Sequence, residues 1–582
     1  MFIKNSFSGK NWRLAEFDER QTLLISQRYK LDKIISKLIA IRNINVEDIS
    51  SFLSPDIGQI LPDPYILKDM KKSVNRIYKS IINKEKIGII TDYDVDGASS
   101  AALLIKFLNK INVKTLVKIP DRLNEGYGPN KRIIDEFKKQ EIDLIIALDC
   151  GTTSFSVFNK KILGNIDVIV VDHHISELNH PDVYGLINPN RLDENNDLKN
   201  LAAVGVTFLL LIALRRELRN NDFYNLNKFN EHNLTIYLDL VAVGTACDVV
   251  NLTHLNRAYV SKGLEILQKR NNKGLASLVD ITNINHIPNV FDLSYIIGPR
   301  LNAGSRIGNP ELATKILSSN DQIEIESISR KLYLLNEKRK LIENEMLLEA
   351  KKQALKKINK KIIIVHSSSW HPGVLGIVAS RLLEEFRKPT IVISKKDKEG
   401  VGSGRSIPEI NLGSLIIAAK NDGIIINGGG HKAAVGFKIN NNKIDELSNF
   451  LETKINIKIN QLDQVSFLYD SILTIEQINE NLLSNLELLE PFGKGNKEPK
   501  FLILNLNINF IKTIKEKHLI ISFYNSIGNS IEGICFNVIN TILGENLLSS
   551  KNKNLNIIAS IKRNNFSNNS SAQLIIDDAI FA

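Results

Sequence analysis

Three apolar runs, each ending in acidic side chains, constrain the fold of this chain more than any other feature. They read KIGIITDYD, DLIIALDCG and IDVIVVDHH, and they end at Asp92 and Asp94, Asp149, and Asp172. Helical stretches separate the runs at the spacing of β-α-β units, and uninterrupted apolar strands are typical of a parallel sheet covered on both faces. Because sites in such sheets form beyond the carboxyl ends of the strands, we predict that these acids converge.

The overall composition is that of a folded protein with several domains. The chain has 582 residues, of which 43% are hydrophobic and 24% are charged, and these values exclude a disordered chain. At about 150 residues per domain, the length predicts three or four domains. Lys and Arg exceed Asp and Glu by 75 to 64, so the net charge of +11 favours a polyanionic partner, although a general richness in Lys gives the same number.

Cysteine usage and hydropathy bear on the compartment. Cys150, Cys247 and Cys535 are too few and too scattered for a disulfide framework, and no CxxC pair suggests a zinc site. The N-terminus lacks the apolar core of a signal peptide, and no window approaches 18 uninterrupted apolar residues. We therefore expect a cytoplasmic protein that does not interact with membranes.

The changes of pattern along the chain predict an α/β multidomain protein. A parallel-sheet domain and a smaller α/β domain are joined by a long helix, and short strands after about residue 460 predict a small all-β barrel or sandwich. We expect the first segment to be helical and to pack against the next domain. We predict an N-terminal extension over 1–74, a parallel-sheet domain over 75–318 and a linker helix over 319–360. A second α/β domain follows over 361–458, and an all-β domain over 459–582.

The acids and histidines at the strand ends predict a metal site. Asp92 and Asp94 alternate along a strand and can share a face, where two carboxylates repel each other unless a cation neutralises them. His173 and His174 follow Asp172, and carboxylate with neutral imidazole suits Mn²⁺ or Mg²⁺ better than zinc.

Three further acids lie in or near these motifs. Asp96 precedes Gly97 where a helix N-cap belongs, and we expect it only to cap that helix. Asp248, in GTACDVV, supplies one more acid for the site, and Asp239 competes with it in the same stretch.

The order of these motifs resembles the DHH phosphoesterase superfamily, and in particular its bacterial single-strand-specific exonucleases. The resemblance covers about residues 85 to 500. It is carried by DYDVDG, LDCG, VDHH, GTACD, GPRLNAGSRIG, HPGVLGIVASRL, GSGRS, GGGHKAAVG and LEPFGKGNKEP. It implies that the predicted segments are a DHH catalytic domain, a linker helix, a DHHA1 domain and a C-terminal OB-fold-like domain that binds nucleic acid.

The resemblance also implies the ligands of two divalent cations, Mn²⁺ or Mg²⁺. One set is Asp94, Asp149, His173 and Asp248, with Asp149 bridging, and the other contains Asp92 and Asp149. It assigns catalysis to Asp92, Asp149 and His174, with His174 near the scissile phosphate. The chain has Gly88 where the inorganic pyrophosphatases of the superfamily have an extra histidine, which argues against that activity.

A further set of side chains and glycines is predicted to bind the substrate. Arg405 with Ser403 suits a terminal 5′-phosphate, and Arg122 joins them. Tyr127 can stack on a base, although a loop position for Arg122 and a half-buried ring for Tyr127 are equally open. Arg300, Asn302 and Arg306 are further candidates, for which an ion pair within the domain is the alternative. His371 is another, for which helix capping is the alternative. The last candidates are His431 and the backbone of Gly429 and Gly430, whose N–H groups can approach a phosphate closely.

Together these features predict a metal-dependent exodeoxyribonuclease that degrades single-stranded DNA from 5′ to 3′ and releases 5′-mononucleotides in DNA repair and recombination. The expected partners are single-stranded DNA, a helicase and a single-strand-binding protein. The protein is expected to be a monomer that joins the nucleoid when active. Two alternatives remain, a DHH enzyme acting on small nucleotides and a non-catalytic DNA-binding scaffold. The long strand-rich tail argues against the first, and the complete ligand set argues against the second.

Overall fold

The structure is a computed structural model that describes residues 2–3, 5–231, 233–455, 466–551, 553–564 and 571–582. The chain divides into two compact units. The first unit contains Met1–Leu61, Val249–Ser261 and Asp463–Ala582, and the second contains Pro62–Asp248 and Lys262–Leu462. No helix in the described ranges is long and apolar enough to cross a membrane.

The described chain contains both α-helices and β-strands, with a long all-helical stretch between β7 and β8. The helices are α1 (Glu19–Tyr29), α2 (Lys33–Ile41), α3 (Ile49–Leu53), α4 (Ile57–Ile60), α5 (Met70–Ile82), α6 (Val95–Lys110), α7 (Lys131–Lys139), α8 (Lys160–Leu163), α9 (Ala203–Asn220), α10 (Phe223–Leu226), α11 (Leu238–Cys247), α12 (His254–Gln268), α13 (Lys273–Ile281), α14 (Gly298–Ile307), α15 (Glu311–Ser318), α16 (Gln322–Leu355), α17 (Leu375–Phe386), α18 (Leu412–Asn421), α19 (Ile444–Lys454), α20 (Glu480–Glu487) and α21 (Ile542–Leu548). The strands are β1 (Phe2–Ile3), β2 (Asn11–Leu14), β3 (Ile87–Thr91), β4 (Thr115–Lys118), β5 (Leu144–Leu148), β6 (Asp167–Val171), β7 (Gly185–Ile187), β8 (Ile363–Ser367), β9 (Thr390–Lys396), β10 (Glu399–Arg405), β11 (Asn427–Gly430), β12 (Ala434–Asn440), β13 (Ser466–Tyr469), β14 (Ser471–Leu473), β15 (Phe501–Ile514), β16 (His518–Tyr524), β17 (Ser530–Cys535), β18 (Leu555–Asn564) and β19 (Ser571–Phe581).

The N-terminal part of the second unit is built on a parallel sheet, as predicted. Its strand order is β4-β3-β5-β6-β7, and every neighbouring pair runs parallel. The three central strands are rich in Ile, Val and Leu and almost entirely buried, because helices cover both faces. Ile90 pairs with Ala147, and Ala147 pairs with Val170, so β3, β5 and β6 end side by side. This register brings the acids that follow the three strands to one edge.

The start of α6 corrects the expectation for Asp96. Helix α6 begins at Val95, so Asp94 takes the N-cap position and its side chain accepts a hydrogen bond from the Gly97 N–H at 3.1 Å. Asp96 already lies in the first turn. Its buried carboxylate accepts hydrogen bonds from the N–H groups of Ala203 (2.7 Å) and Val204 (2.9 Å), at the start of α9. Asp96 therefore joins two helices instead of capping its own.

The linker helix and the smaller α/β part complete the second unit. Helix α16 is 34 residues long, and the sheet beyond it has the order β11-β12-β10-β9-β8, with only β8 and β9 parallel. At the contact between α14 and the HPG segment, a Cβ at Gly373 would lie 2.1 Å from the Arg306 carbonyl oxygen. Only glycine allows this approach, which holds the smaller α/β part against α14.

The first unit combines the chain's two ends. Six strands in the order β14-β15-β16-β17-β19-β18 close into a barrel through an extra β15–β18 pairing. Ile25, Ile35 and Leu38 of the N-terminal helices share one buried cluster with barrel residues such as Phe501 and Leu555.

The expectation for residues 1–74 holds only in part. Most of the segment is helical, but it also contains strands β1 and β2, the latter pairing with β13. Residues 1–61 belong to the same unit as the C-terminal barrel, whereas residues 62–74 belong to the unit that contains the parallel sheet. The predicted boundary at 458/459 lies outside the described residues, and the other domain boundaries stay predictions.

Candidate metal centre

The acids that follow β3, β5 and β6 come together with two histidines at the edge of the parallel sheet. Ligand atoms lie within 4.8 Å of one another in three groups, which share members and therefore form one continuous cluster. The groups are Asp92, Asp94 and Asp149; Asp149, His173 and His174; and Asp96, His173 and Asp248. All residues predicted as metal ligands belong to this cluster.

The buried carboxylates of the cluster would be stabilised by a nearby positive charge. Asp92 is 3% exposed and Asp149 is 2% exposed. Burial, followed by repulsion from Asp94, raises the pKa of both carboxyl groups well above its usual range. Within the described residues, one oxygen of each, Oδ1, has no hydrogen-bond partner. Bare carboxylate oxygens crowded in a buried pocket fit a divalent cation, which satisfies their lone pairs and removes the repulsion.

Asp149 belongs to two of the three groups and has an unusual backbone conformation. It follows β5 with φ 58°, a left-handed conformation that is uncommon outside glycine. The Tyr127 hydroxyl donates a hydrogen bond to its carbonyl oxygen at 3.0 Å. Strained backbone of this kind is concentrated at functional sites, where the surrounding structure holds it in place.

His173 lies close to both Asp149 and Asp248. His173 Nε2 is 3.4 Å from Asp149 Oδ1, 3.7 Å from Asp248 Oδ2 and 3.8 Å from Asp96 Oδ2. Burial and the neighbouring His174 lower the pKa of His173 to about 4, so its imidazole is neutral and suited to bind a metal. Asp239 belongs to none of the cation-sized groups in the described chain, which favours Asp248 over Asp239.

Asp172 has a different role from the other strand-end acids. Its carboxylate accepts hydrogen bonds from the backbone N–H groups of His173 (2.7 Å) and Thr152 (3.0 Å), and its Oδ1 lies 2.7 Å from His174 Nδ1. Burial alone would lower the pKa of His174, but the Asp172 carboxylate raises it to about 9. The Tyr127 hydroxyl lies 3.0 Å from the same ring nitrogen. Asp172 therefore keeps His174 protonated and oriented, a role that its position at a strand end did not indicate.

Three arginines form a positively charged surface next to the acids. The Arg122 guanidinium lies over the ring of Tyr93, 4.8 Å from its centroid, and Tyr93 stands between Asp92 and Asp94 in the chain. Burial and the proximity of Arg122 lower the pKa of Arg405. Burial, Arg122 and Arg405 are among the causes that lower the pKa of Arg306 to about 9. Clustered guanidinium groups of this kind suit a phosphate.

Ser403 and His371 lie on the smaller α/β part. A Cβ on Gly376 of α17 would lie 3.0 Å from Arg405 Nη2 and 3.1 Å from Ser403 Oγ, so both side chains face the start of this helix. His371 Nδ1 accepts a hydrogen bond from the Gly373 N–H at 3.1 Å. The capping alternative for His371 therefore describes its observed contact.

The other predicted substrate contacts are less clearly directed at the cluster. Arg300 Nη1 donates to the Ile296 carbonyl at 2.6 Å, and its guanidinium lies over Tyr333, so it is engaged within the protein without the alternative ion pair. Asn302 Oδ1 is buried and has no hydrogen-bond partner in the described chain. The exposed His431 and the Gly429–Gly430 backbone lie near the Arg405 end of β10, because Arg405 pairs with Ala434.

Families of known proteins match most of the chain. The DHH family, N-terminal domain, matches residues 86–245, the DHHA1 domain matches residues 359–456, and the RecJ OB domain matches residues 469–578. The three matches follow one another in the order predicted from the motifs.

Individual related proteins match this chain over nearly its whole length. The single-stranded-DNA-specific exonuclease RecJ of Bacillus subtilis is 28% identical over 98% of this chain and 71% of its own length. RecJ of Haemophilus influenzae is 30% identical over 96% of this chain and 98% of its own length. The crystal structure of RecJ in complex with Mn²⁺ from Thermus thermophilus has the same fold, with a TM-score of 0.80 and 24% identity over 98% of this chain and 79% of that one. With such similarity to a complete RecJ protein and a RecJ OB domain at its C-terminal end, this chain belongs to the RecJ family.

Proposed function

We propose that this protein is a single-strand-specific 5′→3′ exonuclease, which hydrolyses DNA with two divalent cations and releases 5′-mononucleotides in DNA repair and recombination. The observation that carries the proposal is the convergence of Asp92, Asp94, Asp149, His173 and Asp248 in one buried cluster. The relatives named above are single-stranded-DNA-specific exonucleases, which supports the same activity here.

The ligand set supports two cations that share Asp149. Asp92 and Asp149 would hold one, and Asp94, Asp149, His173 and Asp248 would hold the other. Oxygen ligands with a single imidazole suit Mn²⁺ or Mg²⁺, and the Thermus thermophilus relative was crystallised with Mn²⁺. When bound, such cations would polarise the phosphodiester and lower the pKa of a bound water.

The protein's own side chains supply the rest of the mechanism. His174, kept protonated by Asp172 and oriented by the Tyr127 hydroxyl, donates a hydrogen bond or a proton to the oxygens that gain charge during hydrolysis. Arg122, Arg306 and Arg405 bind the 5′-terminal phosphate with Ser403, which fixes the strand so that the first linkage lies at the acids. Asn302, His431 and the backbone of Gly429 and Gly430 extend this contact to the DNA backbone.

The same proposal includes the protein's setting. A single-strand-specific enzyme needs a strand opened by another activity, so a helicase that unwinds the duplex and a protein that coats the single strand are the partners that fit. We propose that the protein works as a monomer and joins the nucleoid when it degrades DNA.

Asp149→Asn tests the function. The substitution keeps the size of the side chain and removes the charge that both cations would share, so we expect turnover of 5′-phosphorylated single-stranded DNA to fall at least about 10³-fold. Binding of the same oligonucleotide, measured by fluorescence anisotropy, should stay within about three-fold. Single- and double-stranded substrates labelled at either end, with and without chelator, report specificity and direction.

Asp239→Asn is the matched control, because Asp239 is also a buried carboxylate of the same unit but lies outside the cluster. This variant should retain activity at neutral pH. Retained turnover by Asp149→Asn in excess Mn²⁺, or equal attack on duplex and single strand by the native protein, would contradict the proposal.

A further inference from the structure

An exposed pair of aromatic rings stands on the second unit, outside every group considered so far. Phe291 is 59% exposed and Tyr295 is 67% exposed, and their ring centroids are 5.0 Å apart at an interplanar angle of 32°. We call this pair the aromatic platform. Leaving two large rings together in solvent forgoes the stabilisation that their burial would give. Exposed apolar groups that lie together often mark a binding site.

The platform is held rigidly by a π-helical turn. Residues Asp292–Ile297 form this turn, which leads directly into α14. The buried Asp292 carboxylate accepts a hydrogen bond from the Asn289 N–H at 2.9 Å and lies 2.8 Å from His286 Nε2. Leu293, between the two rings in sequence, is fully buried. Segments of π-helix are rare and frequently occur at functional sites, and here the turn fixes both rings facing outward.

The π-helical turn packs directly on the segment that carries Asp248. Ser294 Oγ donates a hydrogen bond to the Ala246 carbonyl at 2.9 Å, and Cys247 Sγ donates to the Leu293 carbonyl at 3.3 Å. The next residue after Cys247 is Asp248, which caps α11. The platform is thus joined by two hydrogen bonds to the residues that precede a predicted cation ligand.

The same helical run also carries the predicted contacts to the DNA backbone. Asn302 and Arg306 follow Tyr295 by seven and eleven residues, and at about 1.5 Å per residue Tyr295 and Arg306 are roughly 16 Å apart along the helix. Roughly five stacked nucleotides span that distance at about 3.4 Å each. A strand whose 5′ end is bound near Arg306 is therefore long enough to reach the platform after a few nucleotides.

We infer that the aromatic platform is a base-stacking site for the single strand, several nucleotides away from the bond that is cut. This inference rests on the proposed function and adds to it a substrate contact formed by Phe291 and Tyr295. Base stacking on aromatic rings is indifferent to sequence, because every base offers a flat face, and this suits an enzyme that must accept any strand. The site would favour long strands over short ones without taking part in hydrolysis.

The double variant Phe291→Leu/Tyr295→Leu tests the inference on the full chain with Mn²⁺. It removes the rings and keeps apolar bulk. We expect KM for a 5′-phosphorylated 12-mer to rise about five- to twenty-fold, as the loss of one or two stacked bases implies. The turnover of a 5′-phosphorylated dinucleotide, which is too short to reach the platform, should be unchanged. The ring-retaining pair Phe291→Tyr/Tyr295→Phe should behave like the native protein on both substrates.

Abasic substitutions locate the contact on the strand. In the native protein, an abasic residue at about the fourth to sixth nucleotide should raise KM, and in the double leucine variant the same lesion should have no further effect. Tyr184→Leu, which removes another exposed ring of the same unit, should leave both patterns unchanged.

The outcomes separate this inference from the proposed function. If the native protein does not degrade 5′-phosphorylated single strands, the proposed function fails. If it does, and the double leucine variant has a native KM for the 12-mer or an equal loss on the dinucleotide, then the base-stacking site is wrong.

Discussion

At the scale of single residues, the chemistry of an acid depends on which groups face it. Asp92 and Asp149 face other carboxylates, and one oxygen of each accepts no hydrogen bond from the described residues, whereas Asp172 faces His174 and backbone N–H groups. Asp96 faces the N-terminus of α9. Asp92, Asp149 and Asp172 each follow a buried strand directly, so their sequence context predicts the cluster without separating its members by role.

Asp172→Asn should lower kcat on single-stranded DNA about 10²–10³-fold with little change in KM. The amide cannot hold His174 protonated, and general acid catalysis contributes factors of this size. Steady-state kinetics on a 5′-phosphorylated oligonucleotide check this. Asp167→Asn, the same change at the other end of β6, should leave kcat native, since Asp167 contacts Arg76 and lies outside the cluster. A native kcat in Asp172→Asn would show that His174 needs no acidic partner.

Asp239→Asn should change how stability depends on pH. Burial raises the pKa of Asp239 to about 7, so between about pH 4 and 7 the folded state binds a proton that the unfolded state has lost. The stability of the native protein therefore falls as pH rises through this window, and the asparagine variant escapes that loss. The unfolding free energy of the variant minus that of the native protein should therefore increase by about 2–3 kcal/mol from pH 5 to pH 8. Urea denaturation at both pH values measures the difference, and an equal response of the two proteins would contradict it.

At the scale of elements, the start of α6 determines how the first acids are presented. The helix begins close to the end of β3, and a Cβ at Gly97 would lie 2.6 Å from the Asp92 carbonyl oxygen. The glycine therefore lets the helix approach the strand while Asp94 caps it. The DYDVDG motif encodes this turn as well as its carboxylates.

Gly97→Ala should weaken Mn²⁺ binding at least about ten-fold, because relieving the clash moves the backbone of Asp92. Calorimetric titration of the metal-free protein measures the affinity. Gly436→Ala is the control, because a Cβ at Gly436 meets nothing within 4 Å. Native Mn²⁺ affinity in the Gly97→Ala protein would show that the close approach does not position the ligands.

At the scale of the whole molecule, the chain's ends share one hydrophobic core. Residues 1–61 and the C-terminal barrel are about 400 positions apart, yet Leu38 is fully buried in the same cluster as Phe501. Segment 249–261 joins them through Arg257, whose guanidinium lies 3.9 Å from the centroid of the Phe52 ring and donates to the carbonyls of Leu489 and Glu490. The stability of the barrel therefore depends on residues from three parts of the sequence.

Leu38→Ala should destabilise the first unit by about 2–4 kcal/mol, as cavity-forming core substitutions do. Amide exchange of β15 in the barrel should speed up, while Mn²⁺ affinity in the second unit stays native. Leu24→Ala, an exposed leucine of α1, should change neither quantity. Unaltered exchange of β15 in Leu38→Ala would mean that the N-terminal helices do not support the barrel.

The sequence alone determined the parallel sheet, the long helix, the all-β C-terminal region and the acids and histidines of the cluster. These depend on local hydrophobic patterns and on motifs a few residues long, which survive without knowledge of distant contacts. Tertiary structure alone decided that residues 1–61 pack with the barrel and that Asp96 binds α9, because each depends on a surface distant in the sequence, which local patterns do not encode. Asp172 and His174, like Phe291 and Tyr295, are close in the sequence, but only the fold decided that the first pair lies at the acidic cluster and that the second pair is left in solvent.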